Sequence, residues 1–292
     1  MFSKKKQKGE EGKDVSYKYL LAIPTAVLVF SIGYLINGYI QTGEWFSKSI
    51  ELRGGTLITV STDSPVYSPE IEKRLSEKFG QVFVKETRGF GGYGISVEID
   101  SSINSTLVLA ELDSMNIDTR RSSVETIDPA LGESFWTQAQ IAVIIAFVLM
   151  AIVVFVIFRT FVPSIAVIIA ASSDIIETIA FMQVFGIQLS LASLAALLML
   201  IGYSVDTDII LTTRVLKVTE KNIDERIKSA MKTGLTTAGT TIGALAILYI
   251  SSVSAVLSQI AAVLLIGLVL DLVNTWIQNA AIIKWHAVRK GI

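Results

Sequence analysis

The sequence predicts a membrane α-helical bundle of six spans with a small α+β domain inserted after the first. Three observations carry this expectation. Hydrophobic residues make up 51% of the 292-residue chain and charged residues only 17%. With a mean hydropathy of +0.58, few water-soluble domains are comparable. Six stretches each supply the roughly 20 apolar residues that a bilayer crossing needs. Between the first and the second lies a polar segment, residues 41–137, long enough to fold by itself.

The first span is Tyr19–Ile40, behind a lysine-rich tail of residues 1–18. No small-residue cleavage site follows it, so it reads as an anchor rather than a removed signal. The other spans are Gln138–Phe158, Val162–Phe185, Leu189–Thr213, about Thr233–Ser251 and about Ala255–Ile283. The fifth, rich in Thr and Gly, is the least hydrophobic. Residues 138–283 thus hold five spans, and residues 284–292 form a second short tail.

Lysine and arginine in short loops set the orientation. The first tail carries Lys4, Lys5, Lys6, Lys8, Lys13 and Lys18. Arg159 follows the second span, six basic residues run from Arg214 to Lys232, and the second tail has Lys284, Arg289 and Lys290. The turns "GIQ" and "SSVSA" on the opposite side have none. Both termini are therefore expected in the cytoplasm of a multi-pass cell-membrane protein, with residues 41–137 outside.

Within that segment, "GGTLITVST" reads as a strand and "SPEIEKRLSEKFG" as a helix capped by Ser68, with Pro69 at its first position and Gly80 closing it. "QVFVKET" and "GISVEI" read as strands joined across the glycine-rich "RGFGGYG". "INSTLVLAELDSM" is a second helix and "RRSSVETID" a last strand. The order β-α-β-β-α-β is the ferredoxin-like arrangement, which hosts many functions and identifies none. "FGGYG" lacks the strand-then-helix setting and the lysine of a phosphate loop, so it is a hairpin turn.

Composition excludes several chemistries. The chain has no cysteine, hence no disulfide, thiolate metal site or cysteine nucleophile. One histidine, His286, rules out a multi-histidine metal centre. A formal net charge of −1 gives no basic field for nucleic acid. No enzyme, cofactor or metal is expected.

The informative residues are acidic and lie inside the spans: Asp174 and Glu177 in the third, Asp206 and Asp208 in the fourth, Asp271 in the sixth. A carboxylate at a span's centre costs about 2.5–3.5 kcal/mol on insertion scales, so such residues face a bundle interior or water, pair, or hold protons. Asp174 and Glu177 are three apart, about 60° around a helix, and share a face. Asp206 and Asp208 are about 160° apart and diverge, which also argues against an intramembrane aspartyl protease. Lys232 is a candidate countercharge. Thr233, Thr236, Thr237, Thr240 and Thr241 are candidate hydroxyls for a wet path, and Asn274, Gln278 and Asn279 give the last span a polar edge. Gly202, Gly239 and Gly243 allow close helix approach. Two readings stay open: a static network that fixes helix packing, or a relay of protons or sodium ions. A unit charge crossing 100 mV releases about 2.3 kcal/mol, enough to drive mechanical work.

Four stretches resemble the SecF family of protein-export membrane subunits. "SIELRGGTLITV" (49–60) is similar to the family's D-F-x-G-G-T entry, and "VETIDPALGESFWTQA" (124–139) to its V-G-P-x-x-G-x-x-L segment. "IGYSVDTDIILTTR" (201–214) resembles G-Y-S-I-N-D-T-x-x-x-F-D-R, and "AMKTGLTTAGTT" (230–241) resembles S-R-T-x-N-T-S. The acidic residue of the bacterial fourth-span motif falls on Thr207, the fifth-span arginine on Lys232 and the third-span H-D-V on Ser173 and Asp174; these departures resemble the archaeal branch. The related SecD family places an aspartate where Asp206 stands.

The resemblance implies half of a resistance-nodulation-division fold, completed by a SecD-type subunit. It implies a role in moving preproteins on the outer side of the Sec channel, within a lipid bilayer, driven by protons. Asp206, Asp174 and Lys232 are then the first candidates for ion coupling, with Asp208, Glu177 and Asp271 second. Arg53, Gly54, Gly55 and Thr56 read as structural, the glycines permitting unusual backbone where the chain leaves the membrane. The rivals are a self-contained small-molecule or lipid exporter and a passive scaffold.

Overall fold

The computed structural model describes residues 2–89, 92–218, 222–251 and 254–291. Among them, six helical paths are long and apolar enough to cross a membrane. They are α1 (Phe2–Thr42), α5 (Pro129–Phe158), α6 (Phe161–Val184), α7 (Leu191–Lys217), α8 (Ile223–Ser251), and a sixth path built of α9 (Ala255–Val273), a π-helical segment (Asn274–Asn279) and α10 (Ala280–Lys290). The lysine-rich tail has no break from the first span; both are one helix, α1.

Burial sorts these helices. α6 and α7 are the most buried, packed on each other and on α9, while α1, α5 and α8 present mostly exposed apolar faces. The core between the inner helices holds Met150, Val154, Val167, Leu197, Leu200 and Leu264. Small residues bring α7, α8 and the sixth path together, though not those expected. A Cβ on Gly234 would collide with Trp276, and one on Gly267 with Leu200; Gly202, Gly239 and Gly243 have nothing beside them within 4 Å.

Between α1 and α5 lie α2 (Ile50–Arg53), β1 (Gly55–Thr62), α3 (Ser68–Phe79), β2 (Phe83–Gly89), β3 (Gly92–Ile99), α4 (Ser105–Ser114) and β4 (Ser122–Ile127). The four strands form one antiparallel sheet in the order β2-β3-β1-β4. Its core follows from strand alternation: Ile58, Val60, Ile95 and Val97 point one way, onto Ile71, Leu75 and Leu112 of the two helices. The tip of the β2–β3 hairpin, Phe90 and Gly91, lies outside the described residues, as do Lys221 of the basic loop and Ser252 and Val253 of the "SSVSA" turn.

Ser68 does not cap α3. Tyr67 holds the cap position with no side-chain bond, and Ser68 sits inside the helix. The cause is Glu86 on β2, whose Oε1 accepts from both Ser68 N and Ser68 Oγ at 3.2 Å and so occupies the serine. Gly80 ends the helix at φ +88°. Glu111 ties the two helices together, accepting from Arg74 Nε at 3.0 Å and Lys78 Nζ at 2.6 Å.

The joint between sheet domain and bundle is a tight glycine contact. Gly54 (φ +80°) and Gly55 (φ +139°) take a conformation that side chains disfavour. A Cβ on Gly54 would fall on the backbone of Pro129, and one on Gly132 on the backbone around Gly54, so α2 and the start of α5 touch main chain to main chain. Arg53 lays its guanidinium over the Phe83 ring at 5.3 Å, and Thr56 Oγ1 meets Thr126 Oγ1 at 3.1 Å across the β1–β4 pair.

Two outcomes follow. Gly132→Ala should destabilise the purified chain by about 1–3 kcal/mol, through overpacking against backbone that cannot move aside; a lowered Tm measures it. The bonds from Lys78 and then Arg74 hold the Glu111 carboxyl below the usual range. Its stabilising contribution is therefore present above the unfolded-chain value and lost as pH falls through the lower folded one. Glu111→Gln should flatten the fall in Tm between neutral and acidic pH.

Candidate functional site

Midway along the bundle, α6, α7 and the sixth path bring four carboxylates together. Asp174 and Glu177 come from α6, Asp208 from α7 and Asp271 from the end of α9; each is at most 1% exposed. Their spacing is what helical periodicity dictates: Asp174 and Glu177 share a face, as do Asp208 and Ser204, and Asp271 and Thr275. The π-helical segment beginning at Asn274 turns Asn274, Thr275, Gln278 and Asn279 inward, all buried. π-bulges inside α-helices are frequent at functional sites.

Two amide-and-hydroxyl clamps hold the carboxylates. Asn274 Nδ2 donates to Asp174 Oδ1 at 2.8 Å and to Glu177 Oε2 at 2.9 Å, using both amide protons. Ser204 Oγ donates to Asp174 Oδ2 at 2.6 Å. In the second clamp, Asn279 Nδ2 donates to Asp208 Oδ1 at 2.6 Å. Thr275 Oγ1 lies 3.1 Å from Asp208 Oδ1 and 3.0 Å from Asp271 Oδ1.

Acceptors outnumber donors here. Glu177 Oε1, Asp208 Oδ2, Asp271 Oδ2, Asn274 Oδ1 and Asn279 Oδ1 are buried without a hydrogen-bond partner. So is Thr212 Oγ1, one turn beyond Asp208 towards the Lys217 end of α7. Among the described residues no ion pair reaches any of the four carboxylates. Keeping four such acids ionised together with no cation beside them is costly, because an unpaired buried charge costs several kcal/mol or more.

The residues ranked by sequence divide at this point. Asp174, Glu177, Asp208 and Asp271 are in the cluster; Asp206 and Lys232 are not. The divergence on α7 that separates Asp206 from Asp208 turns Asp208 inward and leaves Asp206 exposed in this chain. Lys232 is exposed on α8 and is not a countercharge to the cluster. The threonines of α8 do not line a path between the helices of this chain: Thr233, Thr236, Thr237, Thr240 and Thr241 each donate to a carbonyl of their own helix. Ser204 and Thr275 were not singled out by sequence, although each stands four residues from an aspartate on the same face.

Comparison with known proteins agrees with this architecture. The family model described as "Protein export membrane protein SecD/SecF, C-terminal" matches residues 107–289. The protein-export membrane protein SecF of Pyrococcus furiosus is 43% identical over 274 residues, covering 94% of this chain and 92% of the relative. That of Methanocaldococcus jannaschii is 41% identical over 283 residues, covering 92% and 95%. The crystal structure of SecDF from Thermus thermophilus, described as a translocon-associated membrane protein, matches with a TM-score of 0.74 at 21% identity. That match covers 94% of this chain and 38% of the longer SecDF chain. A multi-pass helical membrane protein with this extent of similarity belongs to the SecF family of protein-export membrane proteins, as an accessory subunit of export.

Proposed function

We propose that this chain is the ion-coupling partner of a SecD-type subunit and that the carboxylate cluster passes protons to drive movement of preproteins beyond the Sec channel. Thr275 carries the reading. Its hydroxyl has one proton, yet its oxygen is within hydrogen-bond distance of a carboxylate oxygen of both Asp208 and Asp271. Thr275 donates to one; the other contact becomes a full hydrogen bond when that carboxyl carries a proton and donates to Thr275. In this reading one acid of the second clamp is neutral, and a proton passes between Asp208 and Asp271 by a paired shift: the protonated carboxyl gives its proton to Thr275 Oγ1 as Thr275 gives its own to the other carboxylate.

The cluster supplies the steps of a relay. The pair Asp174–Glu177 and the pair Asp208–Asp271 are each bridged by one residue of the π-helical segment, so a proton entering one pair alters the clamp that neighbours the other. Ser204, beside Asp174, and Asn279, beside Asp208, stabilise whichever oxygen is charged. Thr212 extends the polar line towards the Lys217 end.

The exposed polar residues support a partner. Asp206 stands about 22 Å along α7 from its first residue, near mid-membrane, and an exposed carboxylate facing lipid there is costly. A second subunit covering α7 and α8 would give Asp206 and Lys232 polar neighbours. The SecDF protein of Thermus thermophilus is more than twice as long as the part matched here, consistent with a second bundle of six spans that completes a resistance-nodulation-division fold. The sheet order and the two helices on one face favour the ferredoxin-like plan for the inserted domain. In this reading that domain lies outside the cell membrane, both termini are cytoplasmic, and the domain meets the emerging preprotein.

The test is export of a model preprotein into inverted vesicles containing the partner subunit and the channel. Asp208→Asn and Thr275→Val should assemble normally and lose most of the gradient-dependent export; Asp206→Asn should weaken co-purification of the SecD-type partner. An uncoupler should abolish the gradient-dependent part, and replacing sodium by potassium should leave it unchanged. Full gradient-dependent export by an assembled Asp208→Asn complex would show the cluster to be a packing device.

A further inference from the structure

The sheet domain is tied to the bundle at a second place besides the glycine joint. Residues 47–51, leading into α2, run alongside the turn that joins α6 to α7. Leu189 N donates to Ser47 O and Ser49 N to Leu189 O, both at 2.8 Å, a one-residue parallel bridge between Lys48 and Leu189. Ser47 N donates to Gln183 Oε1 on α6 at 2.8 Å. Leu191 N, the first residue of α7, donates to Glu51 Oε2 at 2.8 Å, where a carboxylate also complements the positive end of the helix. Gln188, in the same turn, accepts at its Oε1 from Lys85 Nζ of β2, while its carbonyl accepts from Gln259 Nε2 of α9 at 3.0 Å. Lys85 also donates to Glu98 Oε1 on β3 at 3.1 Å.

The bridge itself is shielded, while the Glu51–Leu191 bond lies at its exposed edge. Ser49, Ile50, Leu52, Gln188, Leu189 and Ser190 are all less than 5% exposed. Opening the bridge would leave buried N–H and C=O groups without partners, which folded chains rarely tolerate. α6 and α7 are also the helices that carry Asp174, Glu177 and Asp208, and Gln183 is six residues, about 9 Å, beyond Glu177 on the same helix.

We infer that residues 47–51 and the 187–191 turn form a latch that stays closed throughout the working cycle, so that the sheet domain and the carboxylate-bearing α6–α7 hairpin move as one body. This rests on the ion-coupling reading above for what drives the movement, and on the bonds around Leu189 for how it reaches the sheet domain. Glu51 is a positioning residue in this device: it touches neither ion nor preprotein, and it holds the start of α7 against the domain.

The absence of cysteine from the natural chain makes a cross-link test clean. Lys48→Cys with Leu189→Cys places thiols on the two bridged residues, to be oxidised in the assembled complex with partner and channel. The latch predicts that the oxidised pair keeps at least half of the gradient-dependent export of its reduced form. It also predicts that Glu51→Ala loses at least half while Glu51→Gln, which can still accept from Leu191 N, does not, and that oxidising the cysteine pair restores Glu51→Ala. A fall below half on oxidation means that the bridge must open, and overturns the inference. So does an assembled Glu51→Ala complex with more than half of wild-type export. Asp208→Asn, measured in parallel, separates the two claims: if it is silent while the Glu51 and cysteine results hold, the ion route is wrong and the latch stands.

Discussion

Four carboxylates buried without a cation among the described residues are the constraint around which this protein is arranged. A bundle of apolar helices would be easier to insert and pack without them. Their presence requires donors at the same depth, and the sixth membrane path supplies these through one irregularity. The π-helical segment Asn274–Asn279 widens the turn so that Asn274, Thr275 and Asn279 all face inward against α6 and α7. Regular α-geometry would spread residues 274, 275 and 279 around the helix more widely. The burial of α6 and α7, the close approach at Gly234 and Gly267, and the exposed outer helices are the packing that keeps this polar centre away from lipid.

Among the described residues the protein's own donors are too few for the acceptors, and the proposed proton relay draws on that imbalance. A network built only for packing would be expected to satisfy its oxygens, since each buried unsatisfied group costs about 1–3 kcal/mol. Here several oxygens lack partners and one hydroxyl serves two acids. In the proposed relay, protons held by the carboxyls would relieve both defects. The same centre is linked to the sheet domain by short physical steps: along α6 to Gln183, along α7 to Leu191, and across the Leu189 bridge to Glu51 and β2. The glycine contact of Gly54 and Gly132 fixes the domain to α5 beside that bridge, so the domain is seated on the bundle rather than tethered to it.

Much of this was legible in the sequence because it depends on local chemistry. Span lengths follow from apolar runs, and the strand and helix order of the inserted domain follows from β-branched runs and Gly or Pro punctuation. That Asp174 and Glu177 share a face, and that Asp206 and Asp208 do not, follows from helical spacing. What spacing leaves open is which face turns inward, because that is decided by neighbours distant in sequence. Motif likeness points to Asp206 before Asp208, and it carries no information on the rotation of α7 against α6 and α9 that buries Asp208. Lys232 reads as a countercharge because it stands just before the threonine-rich fifth span, and α8 instead presents it outward. The π-helical segment leaves no mark in composition, so nothing in the sequence sets Thr275 apart from its neighbours. Ser68 failed as a cap for a similar reason: Glu86, eighteen residues away, competes for it.

The central claim is that a neutral carboxyl sits at the Asp208–Thr275–Asp271 clamp in the resting protein. Infrared difference spectroscopy of the intact complex in membranes, in light and heavy water at neutral pH, tests it directly. The account predicts a protonated-carboxyl carbonyl band that shifts on deuteration and is lost or altered in Asp208→Asn, Asp271→Asn and Thr275→Val but unchanged in Asp206→Asn. Absence of any such band at neutral pH, or a band that responds to Asp206 and not to the clamp residues, would contradict it.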